Sequence, residues 1–203
     1  MKPSKKTFLA LGDSYTVGEL LETSQRWTMQ LIKSLHEKNV NFNPPVTIAH
    51  TGATTGELLF DLEQLQPLGK FDLVTLLIGV NNQYRGYSIH EYRNEFTLLI
   101  NKAIQLAIDK SRVVVVSIPD WGYSPFAKND KRGVRKISEE ILAFNLVNKQ
   151  IADFFGIKYA DIVCVSQNSN PDFYASDGLH PSGLQYKAWS DEIFRVLKDS
   201  LVI

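Results

Sequence analysis

Residues 73–82 read Leu73-Val74-Thr75-Leu76-Leu77-Ile78-Gly79-Val80-Asn81-Asn82. Six almost wholly aliphatic residues stopped by a glycine describe a strand without a wet face, since a strand open to water on one side alternates apolar and polar residues. Thr7–Leu11, Val46–Ala49, Val113–Ile118 and, with a fainter pattern, Lys158–Val163 read as further strands. Apolar residues in consecutive positions are the mark of parallel strands covered by helices on both sides.

The segments between these runs have helical period. Trp27, Leu31 and Leu35 recur every four residues. Glu91 to Asp109 carries Tyr92, Phe96, Leu99, Ala103, Leu106 and Ala107 on one face. Ile137, Ile141, Phe144, Val147, Ile151 and Phe155 mark another helix, and Trp189, Ile193 and Val196 a last one. Thr54 with Glu57, Ser88 with Glu91 and Ser182 with Gln185 have the spacing of capping boxes. Strand and helix in alternation require right-handed crossovers, hence an α/β fold: a three-layer α/β/α sandwich around a five-stranded parallel sheet. The 203 residues suit one domain spanning 1–203. The long irregular connection, Pro119 to Gly133, follows the fourth strand, and loops of that length inside compact domains are often functional.

Charge and composition narrow the function. Lys plus Arg number 22 and Asp plus Glu number 22, a zero balance that argues against a nucleic-acid partner, whose binders carry a basic footprint. Hydrophobic residues at 44% and charged residues at 22% exclude a disordered or collagen-like chain. Cys164 is the single cysteine, so no internal disulfide framework exists. The basic start, Met1 to Lys6, is followed by only Phe8-Leu9-Ala10-Leu11 before Gly12-Asp13, too short for a signal-peptide core. No run approaches the roughly 18 apolar residues of a membrane span. A cytoplasmic location without integral membrane association is the expectation.

In open α/β sheets ligands bind beyond the carboxyl ends of the strands. There the sequence places Gly12-Asp13-Ser14-Tyr15, Thr51-Gly52-Ala53-Thr54-Thr55, Gly79-Val80-Asn81-Asn82 and Asp177-Gly178-Leu179-His180-Pro181. A serine hydroxyl becomes a nucleophile when a base removes its proton, and His180 is that base near neutral pH. Asp177, three residues earlier, is placed to orient the imidazole, giving the order Ser14, Asp177, His180. Three donors are available for an oxyanion: the Ser14 N–H at a helix start, the Gly52 N–H at a residue whose missing Cβ admits close approach, and the Asn81 side-chain amide.

Those four blocks, in this order and at these separations, resemble the SGNH (GDSL) hydrolases from about Phe8 to Trp189. The resemblance makes Ser14, Gly52, Asn81 and His180 the four residues of the family's name. It implies a flavodoxin-like sheet, no cofactor and no metal, and esterase, lipase, lysophospholipase, thioesterase or carbohydrate-deacetylase activity. The expected substrate is a small-molecule ester with a small or single acyl chain. Two positions depart from the family pattern. Asn82 stands where the third block usually has Asp, and Tyr15 follows the serine where the first block usually has Leu.

Other residues have plainer readings. Asp13 holds its turn, and His36 and His90 fall in helical patterns as surface or boundary residues. His50 ends the second strand, where pointing toward the site is the less favoured of its readings. Lys128, Lys131, Arg132, Arg135 and Lys136 read as a solvated face. Tyr84, Trp121, Tyr123, Phe126 and Tyr174 either line an acyl or alcohol pocket or pack their own loops. Two rivals from other classes are a metallophosphoesterase, which needs more well-placed ligands than His50 and His180, and a flavin- or phosphate-binding module, whose anion the Asp13 carboxylate would repel. A hydrolase decayed to a binding protein is a third.

Overall fold

The computed structural model describes residues 5–65 and 69–198; residues 1–4 of the basic start lie outside them. Five parallel strands form one sheet: Phe8–Gly12 (β1), Val46–Ala49 (β2), Leu73–Leu77 (β3), Val113–Val116 (β4) and Lys158–Ala160 (β5), in the order β2-β1-β3-β4-β5. Leu9 of β1 lies beside Val46 of β2 and Val74 of β3, and Gly12 beside Ala49 and Leu77. This is the flavodoxin-like order, and its direction of winding reverses between β1 and β3. Ser14 follows β1 and Asn81 follows β3, so both emerge at the reversal.

The helices of eight or more residues are Trp27–His36 (α2), Thr55–Gln64 (α3), Ile89–Leu106 (α5), Gly133–Phe155 (α6) and Gly183–Leu197 (α8). Three short ones, Ser14–Val17 (α1), Val80–Tyr84 (α4) and Val163–Ser166 (α7), sit close after strands. α2 packs on α8, and α3, α5 and α6 pack in series, giving the two outer layers. β1, β3 and β4 are buried throughout, as their unbroken apolar runs dictate. β2 is one of the two edge strands, and its Val46 and Thr47 are exposed. Phe8, Leu9, Leu11, Leu31 and Leu35 are shut away from water, each worth roughly 1.5–3 kcal/mol of burial. Among the described residues no helix is long and apolar enough to cross a membrane.

Three expectations are corrected. β5 stops at Ala160 rather than Val163, because Asp161 turns the chain: its carboxylate accepts the Val163 N–H at 2.9 Å, and α7 begins there. The capping box at Ser182 does not form: its hydroxyl caps no N–H and is turned to the Asp172 carbonyl, to which it donates at 2.6 Å. The box at Thr54 has both of its bonds, and Ser88 accepts the Glu91 N–H at 3.1 Å. Finally, 119–133 is only partly irregular. It holds 3-10 turns at Trp121–Tyr123 and Phe126–Asn129 before α6 starts.

Candidate active site

The turn carrying Ser14 is built from its neighbours. Asp13 caps α1 by accepting the Tyr15 N–H at 3.0 Å. The Tyr15 carbonyl accepts two bonds from the outer layer, from the Trp27 indole at 3.1 Å and the Tyr186 hydroxyl at 2.9 Å. β1, α2 and α8 therefore all fix the position of Ser14, itself almost wholly buried.

Asp13 is fully buried and one of its carboxylate oxygens has no described partner. Burial pushes its carboxyl up to about 7, against the Tyr15 N–H, which pulls it down. The folded chain thus keeps a proton that the unfolded chain releases near 3.8, and stability falls as pH rises from there to about 7. Asp13→Asn keeps an acceptor for the Tyr15 N–H and abolishes the titration. Its melting temperature is expected to drop less than that of the wild type between about pH 5 and about pH 8, read by circular dichroism. Equal drops would contradict this assignment.

His180 reaches Ser14 from the loop before α8. Its Nε2 lies 2.9 Å from the Ser14 hydroxyl and its Nδ1 2.5 Å from an Asp177 carboxylate oxygen. The other Asp177 oxygen accepts the N–H groups of Leu179 and His180 at 2.9 and 3.0 Å. Partial burial pushes the Asp177 carboxyl up, but the bonds from the His180 ring and these two N–H groups outweigh it and hold it below the usual range. The loop is clasped at its base, where Tyr174 bridges Pro181 and the Ala175 N–H donates to the His180 carbonyl at 2.7 Å. Tyr15, in the position where the family pattern has Leu, packs its ring edge-on against His180 at 5.7 Å.

Gly52 and Asn81 line the same cavity as Ser14 and His180. Gly52 has φ +84, a left-handed conformation that other residues adopt only under strain. Arg85, one helical turn after Asn81, donates to the Gly52 carbonyl at 2.8 Å and pairs with Glu57, which caps α3. Among the described residues no acceptor takes the N–H of Ser14 or of Gly52. The Asn81 amide donates one hydrogen to the Ala53 carbonyl at 2.9 Å, and its second remains for a ligand.

The structure gives a physical reason for Asn82. This buried amide accepts the Thr55 N–H at 3.0 Å and donates to the Thr55 hydroxyl at 2.7 Å. The Thr55 hydroxyl spends its own proton on Glu95. A donor is therefore required at position 82, and a carboxylate there would set two acceptors against one another.

The cavity measures about 240 Å³, and its apolar wall includes Val80, Tyr84, Trp121, Phe126 and Leu179. Tyr84, Trp121 and Phe126 thus belong to the site. Tyr123 lines a different groove beside Val134 and Leu142, and Tyr174 turns its hydroxyl to the Asn168 carbonyl. His50 is half exposed and paired with Asp61 at 2.8 Å, away from the cavity lining. Among the described residues no three His, Cys, Asp or Glu side chains are placed to hold a metal ion. Sequence reasoning missed Arg85 and Gln83. It also misjudged Arg132, which is no solvated charge but lies over two rings of the site. Only its position two residues after Asp130 hinted at an engaged guanidinium.

Comparison with known proteins places the chain in a family. The spore germination lipase LipC of Bacillus licheniformis is 22% identical, over 92% of this chain and 93% of its own. The solved structure of TesA superposes with a TM-score of 0.73 at 23% identity, covering 96% of this chain and 99% of that one. Axe2, an acetylxylan esterase from Geobacillus stearothermophilus, superposes at 0.72 with 17% identity, covering 98% and 97%. Likeness to these two structures is one of fold. The family profile goes further, matching residues 10–188 and so containing every block discussed above. The metallophosphoesterase and flavin-module readings give way to it. The chain belongs to the GDSL-like lipase/acylhydrolase family and is an ester-hydrolysing enzyme.

Proposed function

We propose that the protein hydrolyses esters of short acyl chains through an acyl-enzyme on Ser14. The observation that carries this reading is the line of contacts from Asp177 through His180 to Ser14, at 2.5 and 2.9 Å, ending in the cavity that His180 and Ser14 line. The Ser14 hydroxyl attacks the ester carbonyl while His180 Nε2 takes its proton. Asp177 accepts from Nδ1, fixing the tautomer and stabilising the imidazolium. The oxyanion is held by the N–H groups of Ser14 and Gly52 and by the Asn81 amide. Collapse expels the alcohol, which leaves with the proton from His180, and a water activated by the same imidazole releases the acid.

The cavity supports a short acyl group. At about 240 Å³ it falls below the range of roughly 300–1,000 Å³ typical of sites for drug-sized ligands. Acetyl to butyryl esters fit this space, with the apolar wall against the hydrocarbon. An O-acetylated sugar is a second reading, favoured by the same limit on acyl length, and Axe2 is by its description an acetylxylan esterase. A single catalytic domain in the cytoplasm completes the proposal, in keeping with one continuous core and a lone cysteine.

The test is a series of p-nitrophenyl esters. kcat/KM is expected to be highest at acetate or butyrate and to fall by about tenfold or more at octanoate, as an apolar pocket discriminates by chain size. A rising profile with palmitate as the best substrate would contradict the short-acyl assignment. Release of acetate from acetylated xylo-oligosaccharides, at a kcat/KM above that for p-nitrophenyl acetate, would select the sugar ester.

A further inference from the structure

Arg132 holds a position that the reaction as described does not use. Its guanidinium carbon lies 5.2 Å from the ring centres of both Tyr84 and Trp121. The same group donates to both oxygens of Asp130, at 2.9 and 2.8 Å, and stands 3.6 Å from Glu140. Glu140 also accepts from the Gln83 amide at 2.7 Å, and the Gln83 carbonyl oxygen accepts the Trp121 indole N–H at 2.9 Å. The interactions close a ring: Trp121 to Gln83, Gln83 to Glu140, Glu140 to Arg132, and Arg132 back to the faces of Trp121 and Tyr84. Trp121 is gripped by its N–H and by its face at once, and it meets Tyr84 edge-on at 5.7 Å.

These two rings form part of the apolar wall of the cavity, while Arg132 itself does not line it. An aromatic wall residue free to change rotamer yields to a longer ligand. One held by a hydrogen bond on its edge and a cation on its face does not, and each further methylene of the acyl chain then meets a fixed surface. Asp130 pins the guanidinium in turn: its hydrogen bonds with Arg132 hold the Asp130 carboxyl down at about 2, so the pair stays charged under all ordinary conditions.

We propose that Arg132 is a positioning residue that locks Tyr84 and Trp121 as a rigid wall of the acyl pocket and thereby sets the limit on acyl length. This rests on the Ser14 site described above and names a determinant of its specificity. Arg132 acts through the rings and touches no substrate atom.

The experiment compares wild type, Arg132→Ala, Arg132→Lys and Trp121→Ala on p-nitrophenyl acetate, butyrate, hexanoate and octanoate. The alcohol is constant, so only the acyl side is read. In Arg132→Ala the octanoate-to-acetate ratio of kcat/KM is expected to rise about tenfold, through a lower KM for octanoate rather than a changed kcat for acetate. Arg132→Lys should move the ratio the same way, because an ammonium keeps the charge but has no plane to lie over a ring. It also covers the case in which the alanine variant fails to fold, as judged by its thermal transition. Trp121→Ala should raise the ratio at least as far. An unchanged ratio in the Arg132 variants overturns the proposal, whether or not Trp121→Ala moves it. Failure of the underlying site looks different: Ser14→Ala would keep its turnover of p-nitrophenyl acetate.

Discussion

Ser14→Ala is expected to lower kcat for p-nitrophenyl acetate on the order of a million-fold, as loss of the nucleophile does in a well-studied triad enzyme. The thermal transition should stay within a few degrees of the wild type. The hydroxyl has one described partner, Nε2 of His180, and a single hydrogen bond is worth only about 1 kcal/mol. The fold near Ser14 is held instead by the Tyr15 carbonyl and the Asp13 cap, which the substitution leaves in place. Whatever turnover remains comes from donors that still bind the developing oxyanion, so the loss in kcat, not in KM, is the diagnostic quantity. Near-normal turnover in this variant would remove Ser14 from the chemistry.

Gly12→Ala is expected to be the most damaging single methyl group. Gly12 ends β1 between its partners Ala49 and Leu77. A Cβ there would come within 2.4 Å of the Leu77 carbonyl oxygen and 2.2 Å of the Thr16 hydroxyl. The carbonyl belongs to the central sheet and cannot swing aside as a flexible side chain would. Either β1 parts from β3 or α1 lifts, at a cost of about 3 kcal/mol, the upper end for overpacking a core. For a chain of this size that is a fall in melting temperature of roughly 6–12 °C. Ser14 lies two residues on, and a shift of about 1 Å at a reacting group costs about a hundredfold in rate. Both losses should therefore appear together in melting curves and kcat. A melting temperature within about 2 °C of the wild type would show that the close approach is relieved without cost.

What could be read from the chain follows from where each signal is stored. β1, β3 and β4 are central strands buried throughout, so nearly every residue had to be apolar and the runs stood out. Three blocks of the candidate site were legible because they follow β1, β2 and β3 within a few residues, where spacing alone brings Ser14, Gly52 and Asn81 to one end of the sheet. Asp177 and His180 were found together because the orienting contact spans three residues. β5 was read too long because Ile162 and Val163 look like strand, whereas the Asx turn at Asp161 decides. The spacing of Ser182 and Gln185 fitted a cap, but the hydroxyl is turned toward a carbonyl ten residues away in sequence. The ring from Arg132 to Trp121 joins residues up to 57 positions apart, and no local pattern records it. The same holds for Asn82, whose need for an amide arises from the proton that Thr55 gives to Glu95.

The central claim is that Ser14 carries the acyl group, and covalent capture tests it most directly. A p-nitrophenyl alkylphosphonate offers Ser14 a phosphorus centre in place of the carbonyl; attack forms a serine O–P bond and expels p-nitrophenolate. Intact-protein mass spectrometry followed by peptide mapping should find a single adduct on Ser14, with esterase activity lost in proportion to labelling and no adduct in Ser14→Ala. An adduct on another residue that accounts for the lost activity, or full inhibition with Ser14 unmodified, would contradict the assignment.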